Sequence, residues 1–333
     1  MKAVVLGSGG WGTALAMVLC DNGHDVTLWS HNPDKAAQMA QTRKNPLLPN
    51  VELPKSLTFS GDPACVDGAA MVVSASPSYA VRSNIRLAAP YLSRDTVLVS
   101  VSKGVERDTN LRMSQLLQQE TKNLCKVTAL SGPSHAEEVG VKQPTGCVAA
   151  GEDGTAVKLV QDAFMNRYFR VYTSPDIVGV ELGGALKNVV ALSCGICDGM
   201  GFQDNTKALL MTRAMAEIAR LGETLGGQRQ TFAGLAGMGD LIVTCTSMHS
   251  RNRRAGILIG QGKTAQEAMD EVGAVVEGYY AAESVYQLGR KAGVEMPICD
   301  CAYQVLYQGR EVRDVVTELM TRAKKDELGY DWM

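Results

Sequence analysis

The stretch from Lys2 to Leu19 reads KAVVLGSGGWGTALAMVL, and it decides the fold. A short β-branched run, Ala3 to Leu6, leads into a glycine-rich turn at residues 7–12, and the helical run Thr13 to Leu19 follows. The turn fits G-x-G-x-x-G and lies between a strand and a helix, which is where dinucleotide binding requires it. This context favours a nucleotide site over a plain turn or the similar loops of methyltransferases.

The glycines of this turn have separate tasks in a dinucleotide-binding fold. Gly7 permits the tight turn, Gly9 lets the backbone approach the pyrophosphate, and Gly12 lets helix and strand pack closely. The amides at the N-terminus of the helix then face the phosphates. The segment therefore predicts the head of a Rossmann-type sheet.

The end of the second predicted strand bears on which dinucleotide binds. Folds that select NAD usually carry an acid there to hold the ribose 2′-hydroxyl, but Trp29-Ser30-His31-Asn32 has none. A 2′-phosphate would meet no repulsion, and His31 or Lys35 could offer it a positive group, although both are also common in solvated loops. We therefore expect NADPH to be used at least as efficiently as NADH.

The chain divides into two parts of different character. Up to about Thr173, β-branched runs alternate with helical stretches, which predicts a parallel sheet covered by helices. After Ser174-Pro175, apolar residues recur at helical spacing. We predict an α/β fold with an N-terminal Rossmann-type dinucleotide-binding domain, residues 1–174, and an all-helical C-terminal domain, residues 175–333, that binds the substrate.

The expected strands share short β-branched or small apolar runs: Ala3–Leu6, Asp25–Trp29, Met71–Ala75, Val97–Val101, Val127–Leu130, Gly146–Ala150 and Arg170–Tyr172. The expected C-terminal helices share apolar spacing and Gly or Pro breaks: Val178–Cys197, Leu210–Leu225, Arg253–Gln261, Glu277–Ala292, Ile298–Tyr307 and Val312–Lys324.

Composition limits the partners and the compartment. Lys plus Arg (33) nearly balances Asp plus Glu (35), which gives no support to a nucleic-acid or anionic-membrane surface. The apolar run before Gly7 is too short for a secretory signal, and we expect no run of membrane-spanning length. Nine cysteines in a chain with a large core suit reduced thiols, so we expect a cytoplasmic protein.

Two close cysteine pairs, Cys194-x-x-Cys197 and Cys299-x-Cys301, raise the question of a metal. No second cysteine or histidine pair stands at zinc-ligand spacing. We expect buried helical cysteines and no metal site.

Two loops after predicted strands carry candidate site residues. Lys103 follows the apolar strand ending at Val101 and could meet substrate or nicotinamide, or simply be solvated. Ser134 lies among small residues that allow a ligand to approach, and it is a candidate substrate contact. His135 beside it has no identifiable carboxylate partner, so a structural role is favoured over acid or base catalysis.

A lysine amid an apolar helical face is the most telling feature of the second half. Burial of Lys187 without compensation would be costly or would lower its pKa, and a lysine with a lowered pKa can donate a proton to a carbonyl oxygen. Its head could instead reach solvent. Asp240, in what we predict to be a glycine-rich loop, can pair with Lys187. Residues 250–254, SRNRR, offer a phosphate receptor or, alternatively, a helix surface.

Six stretches resemble the bacterial NAD(P)-dependent glycerol-3-phosphate dehydrogenases nearly end to end. They are GSGGWGTALA at 7–16, SVSKGVE at 100–106, SGPSHAEE at 131–138, VGVELGGALKNVVAL at 178–192, MGDLIVTCTSMHSRNRR at 238–254 and VVEGY at 275–279. Several independent motifs in register make chance agreement improbable.

The resemblance implies roles for particular residues. Those implied to contact the cofactor are Gly10, Trp11, His31, Lys103, Ala136, Arg251, Val275 and Glu277. Those implied to contact glycerol 3-phosphate are Lys103, Gly132, Ser134, Lys187, Asp240, Ser250, Arg251 and Asn252. His31 stands where many family members carry arginine, so the strength of the preference for NADP stays open.

The resemblance also implies the reaction, a hydride transfer between nicotinamide C4 and C2 of dihydroxyacetone phosphate. Lys187 would protonate the developing alkoxide, Asp240 and Asn188 would orient it, and the Arg251 region would hold the phosphate. The implied enzyme uses NADP or NAD, is a homodimer, and feeds phospholipid synthesis. Two alternatives stay open: a β-hydroxyacid or 6-phosphogluconate type dehydrogenase, and a nucleotide-sensing module without chemistry.

Overall fold

The computed structural model of the protein describes residues 1–324, 326 and 327. Its first half is built on one eight-stranded sheet in the order β3-β2-β1-β4-β5-β6-β7-β8. The strands are β1 Lys2–Leu6, β2 Asp25–Trp29, β3 Thr58–Ser60, β4 Met71–Ser74, β5 Val97–Ser100, β6 Lys126–Ser131, β7 Thr145–Ala150 and β8 Phe169–Ser174.

The sheet is parallel except between β6 and β7. The expected parallel sheet is therefore confirmed for six of its seven strand pairings and wrong for the pairing of β6 with β7. The connection from β6 to β7, residues 132–144, carries only the five-residue helix Ala136–Gly140, whereas parallel strands are usually joined through a longer crossover helix. β3 is a further difference, because its three residues are too short to give a strand pattern.

Helices cover both faces of the sheet. They are α1 Gly10–Asp21, α2 Pro33–Thr42, α3 Val81–Ala88, α4 Met113–Glu120, α5 Ala136–Gly140 and α6 Gly154–Phe164. Alternate residues of each strand enter opposite cores. Val5 packs with α1 and α6 on one face, and Val4 packs with α3 and α4 on the other.

The described residues after Ser174 form helices and no strand. The helices are α7 Ile177–Gly199, α8 Asp204–Thr224, α9 Arg229–Ala233, α10 Asp240–Thr246, α11 Arg251–Gly260, α12 Ala265–Val272, α13 Glu277–Ala292, α14 Pro297–Gln308 and α15 Val312–Thr321, with a π-helical turn at Leu235–Gly239. The α/β fold class and the helical second half are thus confirmed. The division into domains 1–174 and 175–333 stays a prediction, and residues 325 and 328–333 lie outside the described residues.

Helix α7 is the centre of the second core. Its 23 residues and mean hydropathy of 1.4 would let it cross a membrane by length and composition, so the expectation that no apolar run reaches that length is wrong. However, 89% of its apolar window is buried inside the protein. The helix is mostly apolar on every side, because other helices surround it.

Helices α7 and α11 touch backbone to backbone through glycines. A Cβ on Gly256 would lie 2.1 Å from the carbonyl oxygen of Leu192 and 2.8 Å from Cα of Gly195. One turn further along, Gly199 and Gly260 repeat the contact. Because no side chain separates the helices here, the first turn of α11 lies close to the middle of α7.

We predict that Gly256→Ala lowers the free energy of unfolding by about 1 to 3 kcal/mol, because the added methyl must push two backbones apart. Gly154→Ala is the matched control, since a Cβ there meets no atom within 4 Å. Chemical denaturation of both variants gives the comparison. Equal stability of the two variants would contradict close packing at residue 256.

Candidate active site

The glycine-rich turn connects β1 to α1 with little room to spare. Gly7 has φ of +130°, a conformation that favours glycine, and a Cβ on Gly12 would lie 2.1 Å from the carbonyl oxygen of Gly7. In front of Gly9, by contrast, a Cβ would meet nothing within 4 Å. The turn is closed toward the protein and open toward a ligand, which fits the approach of a pyrophosphate.

The N-terminus of α1 has its amides available. Its N-cap is Gly9, no side chain caps the helix, and the first turn carries no acid. An uncapped helix N-terminus attracts anions through its free N–H groups and dipole. Buried Asn45 fixes the turn from behind, because its Nδ2 donates to Ser8 O at 3.1 Å and to Thr13 Oγ1 at 2.7 Å. These features fit a dinucleotide.

The other residues implied to contact the cofactor come from several elements. Trp11 packs against the sheet core, and Ala136 borders Gly10. His31 is exposed just after β2. Val275 is half-buried in the segment before α13.

Lys187 and Asp240 form a buried ion pair, as the sequence suggested. Lys187 is 3% exposed and Asp240 1% exposed, and Nζ of the lysine lies 2.6 Å from Oδ1 of the carboxylate. The second oxygen, Oδ2, lies 2.8 Å from Nζ of Lys103, as an ion pair rather than an aligned hydrogen bond. One carboxylate therefore lies between two ammonium groups, which leaves the cluster with an excess positive charge.

The pKa of Lys187 follows from this environment. Burial lowers the pKa of its ammonium to about 8, with Lys103 lowering it further and Asp240 opposing the shift. An ammonium with a pKa near neutrality can release its proton during a reaction. The surroundings of Lys187 are thus those of a general acid and base.

Thr244 is a site residue that the sequence reasoning missed. Nζ of Lys187 donates to Thr244 Oγ1, and that hydroxyl donates to the carbonyl oxygen of Asp240 at 2.6 Å. Asp240 and Thr244 are four residues apart on α10, so they share one helix face. The four-residue spacing could have indicated Thr244, but the glycines before Asp240 predict a loop there and not a helix.

The prediction of a loop at Asp240 is wrong, because the carboxylate begins a helix. The π-helical turn Leu235–Gly239 runs directly into α10 at Asp240. The glycines there allow close packing, since a Cβ on Gly237 would lie 2.1 Å from the carbonyl oxygen of Phe232. Gly237 is therefore explained by close backbone packing, and it does not mark a turn.

Lys103 brings the strand-end loops to the same place. Its Nζ donates to Gly132 O at 2.9 Å and to Ser134 Oγ at 3.4 Å. The loops after β1, β4, β5 and β6 all lie along the carboxyl edge of the sheet, where α/β folds bind their ligands. The loops after β5 and β6 therefore meet at this edge through Lys103.

The next residue along the chain, His135, contacts the helical half rather than a carboxylate. Its ring centroid lies 5.7 Å from that of His249, and Nε2 lies 3.5 Å from Val243 O. Burial lowers the pKa of His135.

Two buried asparagines connect the lysines to the start of α11. Asn252 donates to Asn188 Oδ1 at 2.9 Å and accepts from Gly278 N at 2.8 Å. Asn188 donates in turn to Lys103 O at 3.4 Å. Asn188 was expected to orient Lys187, but its hydrogen bonds within the described residues go to Lys103 and Asn252.

The predicted phosphate receptor is the first turn of α11. The helix begins two residues before the predicted start, because Ser250 Oγ caps it by accepting from Arg253 N at 3.2 Å. Arg253 is committed to Asp198, with Nε 2.8 Å from Oδ2. Arg251 is exposed and makes no hydrogen bond or ion pair with any described residue. Its guanidinium, like that of exposed Arg254, is available to a ligand, whereas that of Arg253 is not.

Glu277 links α13 to the loop after β4. Its Oε2 accepts from Ser78 Oγ at 2.9 Å, and burial raises the pKa of its carboxyl group. The same carboxylate lies 3.6 Å from a Cβ placed on Gly104. Glu277 therefore borders the crevice next to the loop that carries Lys103.

The cysteine pairs are buried in helices, as expected. Cys194 and Cys197 lie in α7, Cys299 and Cys301 lie in α14, and each is at most 8% exposed. Among the described residues no group of three His, Cys, Asp or Glu side chains could hold a metal ion.

Comparison with known proteins gives matches over both halves of the chain. Residues 2–157 match the family model of the NAD-dependent glycerol-3-phosphate dehydrogenase N-terminus, and residues 176–317 match that of the C-terminus. The chain is 52% identical to a glycerol-3-phosphate dehydrogenase [NAD(P)+] of Moorella thermoacetica over 331 residues, covering 98% of each chain. It is 50% identical to one from Clostridium perfringens, covering 98% of this chain and 99% of that one.

A solved structure agrees. The crystal structure of glycerol-3-phosphate dehydrogenase from Coxiella burnetii superposes with a TM-score of 0.92 at 34% identity, covering 96% of this chain and 99% of that one.

Proposed function

The chain belongs to the NAD-dependent glycerol-3-phosphate dehydrogenase family, and we propose that Lys187 is the residue that exchanges the proton in its reaction. The enzyme is an oxidoreductase that interconverts dihydroxyacetone phosphate and sn-glycerol 3-phosphate with NAD(P)H. Supply of glycerol 3-phosphate for phospholipid synthesis is the usual role of this activity. The open alternatives, a β-hydroxyacid type dehydrogenase and a nucleotide sensor, are not the family that both halves match.

The buried contact between Lys187 and Asp240 carries the proposal. The glycine-rich turn would hold NADPH or NADH, which would supply the hydride to C2 of the substrate. Lys187 donates a proton from Nζ to the oxygen on C2, so that the carbonyl becomes a hydroxyl and the lysine becomes neutral. The hydrogen bond from Lys187 Nζ to the carbonyl oxygen of Asp240 is long, at 3.4 Å. The N–H that makes this weak bond can therefore turn to the oxygen on C2 of the substrate.

Asp240 has two tasks in this proposal. It holds Lys187 in position. Its negative charge also offsets the loss of hydration of the two ammonium groups and their repulsion of each other. Lys103 is the second positive group beside the reacting oxygen, and it stabilises the negative charge that develops there. Thr244 keeps the acid oriented from the other side.

The substrate phosphate is proposed to bind at the start of α11. Arg251 supplies an unpaired guanidinium, and Ser250 and Asn252 supply polar groups in the same turn. The close contact of α7 with α11 fixes the distance between this turn and Lys187. Recognition of the phosphate is therefore local, which agrees with the near balance of charge over the chain.

We propose a cytoplasmic homodimer. The compartment is supported by the nine cysteines, all of which are free thiols. The dimer is supported by the family resemblance alone. A nucleic-acid partner stays unexpected because the chain carries no excess of positive charge.

We predict that Lys187→Met lowers kcat by about 10² to 10⁴, the usual contribution of a positioned general acid. Methionine keeps the length of the side chain and removes the proton. NADPH binding, measured by fluorescence titration, should stay nearly unchanged. Lys158→Met, a change at an exposed lysine, is the control and should keep the full kcat. Wild-type kcat in Lys187→Met would assign the acid elsewhere, with Lys103 as the next candidate.

The pH dependence should have opposite signs in the two directions. Reduction needs protonated Lys187, so kcat/KM for dihydroxyacetone phosphate should be level below pH about 8 and fall about tenfold per pH unit above it. Oxidation of glycerol 3-phosphate needs neutral Lys187, so its kcat/KM should rise with pH and level off above about 8. Initial rates between about pH 7 and 10 test this. The same sign in both directions would argue against a single acid and base.

We predict that Arg251→Ala lowers kcat/KM for dihydroxyacetone phosphate. The loss should correspond to roughly 3 to 5 kcal/mol of transition-state binding free energy, the contribution of two charge-assisted hydrogen bonds. The weak activity on unphosphorylated dihydroxyacetone should change far less. Arg254→Ala, at an exposed arginine three residues along, is the matched control. NADPH affinity of the same variant separates a cofactor role. Equal proportional losses on both substrates would mean that Arg251 does not bind the phosphate.

A further inference from the structure

The segment after β2 offers few backbone donors to a ligand. Asn32 Oδ1 already accepts from Asp34 N at 2.9 Å and from Lys35 N at 3.2 Å. Pro33 has no N–H, and Asn32 N donates to Ser30 Oγ at 3.3 Å. The N-terminus of α2 is therefore capped by its own side chain, unlike that of α1. Of the backbone donors in residues 32–35, none is left for an anion, so side chains carry most of the donors at this turn.

Two basic side chains lie near this turn, and one of them, Lys35, is held in place by a hydrogen bond. His31 is exposed and has no hydrogen bond from its ring to any described residue. Lys35 is half-buried, and its Nζ donates to Ser8 O at 3.0 Å. Ser8 belongs to the glycine-rich turn, so the ammonium of Lys35 lies between that turn and the end of β2.

The ammonium of Lys35 lacks a counter-charge. It forms no ion pair with a carboxylate among the described residues, and burial lowers its pKa. An ammonium has three donors, and the contact with Ser8 uses one. Two donors of a half-buried cation are thus available to a ligand.

A groove of about 640 Å³ lies beside this cation. Its walls include Asn32, Gln38 and Leu47, and the carbonyl oxygen of Leu47 lies 2.6 Å from a Cβ placed on Gly10. Asp34 also lines the groove, but its carboxylate is exposed and better screened by solvent than the ammonium. In folds of this type, the ribose of the adenosine lies at the end of the second strand.

We propose that Lys35 binds the 2′-phosphate of NADP and thereby sets the cofactor preference, with His31 secondary. The inference rests on the proposed function only in that a dinucleotide binds at the glycine-rich turn. Trp29-Ser30-His31-Asn32 carries no acid to hold a ribose 2′-hydroxyl, and the carboxylate of Asp34 is exposed to solvent. The cation that a 2′-phosphate meets beside this strand end is Lys35.

Direct binding of two adenosine ligands tests the proposal. Adenosine 2′,5′-bisphosphate carries the 2′-phosphate, whereas ADP carries only the pyrophosphate. In calorimetric titrations, Lys35→Met should weaken adenosine 2′,5′-bisphosphate by about tenfold to one-hundredfold, the loss of one charge-assisted hydrogen bond, and should change ADP by less than about threefold. Lys44→Met removes a charge from an exposed lysine nearby and should alter neither ligand.

Steady-state kinetics with both dinucleotides add an independent measurement. Lys35→Met should lower kcat/KM for NADPH by the same factor and leave kcat/KM for NADH within about threefold. Equal losses for ADP and the bisphosphate would assign Lys35 to the pyrophosphate and overturn the proposal, as would no loss for either. A larger loss in His31→Asn than in Lys35→Met would also overturn it. Turnover of dihydroxyacetone phosphate by the wild type with NADH reports on the proposed activity separately.

Discussion

The structure depends on one carboxylate that lies between two ammonium groups in a buried crevice. Asp240 begins α10, Lys187 comes from the middle of α7, and Lys103 comes from the loop after β5. Charges this deeply buried are tolerated only when they are paired, so the three elements must meet at this point. The excess of one positive charge also suits an anionic substrate. The ion pairs that form the site therefore also hold the sheet and the helices together.

Backbone packing holds this junction in place. The glycine contacts between α7 and α11 bring the turn proposed to bind phosphate against the helix that carries Lys187. The loop after β5 is anchored in the helical half, because Val105 belongs to its core and Arg112 pairs with buried Glu181 of α7 at 2.6 Å. Lys103, two residues before Val105, is thus held by both halves. The glycines between α7 and α11 and the loop after β5 therefore position the charged groups.

Much of this could be predicted from sequence, and the exceptions have physical reasons. Strands such as β1 and β2 have strong β-branched patterns, and the apolar surroundings of Lys187 marked it as a candidate acid. The reversed direction of β7 could not be predicted, because the connection at residues 132–144 is long enough for either a parallel crossover or an antiparallel return. The helix at Asp240 was missed because glycine needed for close packing looks like glycine needed for a turn. Thr244 required knowing that α10 is a helix.

The central claim is that burial and Lys103 prepare Lys187 to exchange a proton near neutral pH. The most direct measurement is an NMR titration of the enzyme labelled with ¹³C at lysine Cε, with the Lys187 signal assigned by its absence in Lys187→Met. The account predicts that this signal titrates with a pKa of about 8, well below the exposed lysines of the same sample. A Lys187 signal that titrates together with the exposed lysines, near their usual pKa of about 10.4, would contradict it.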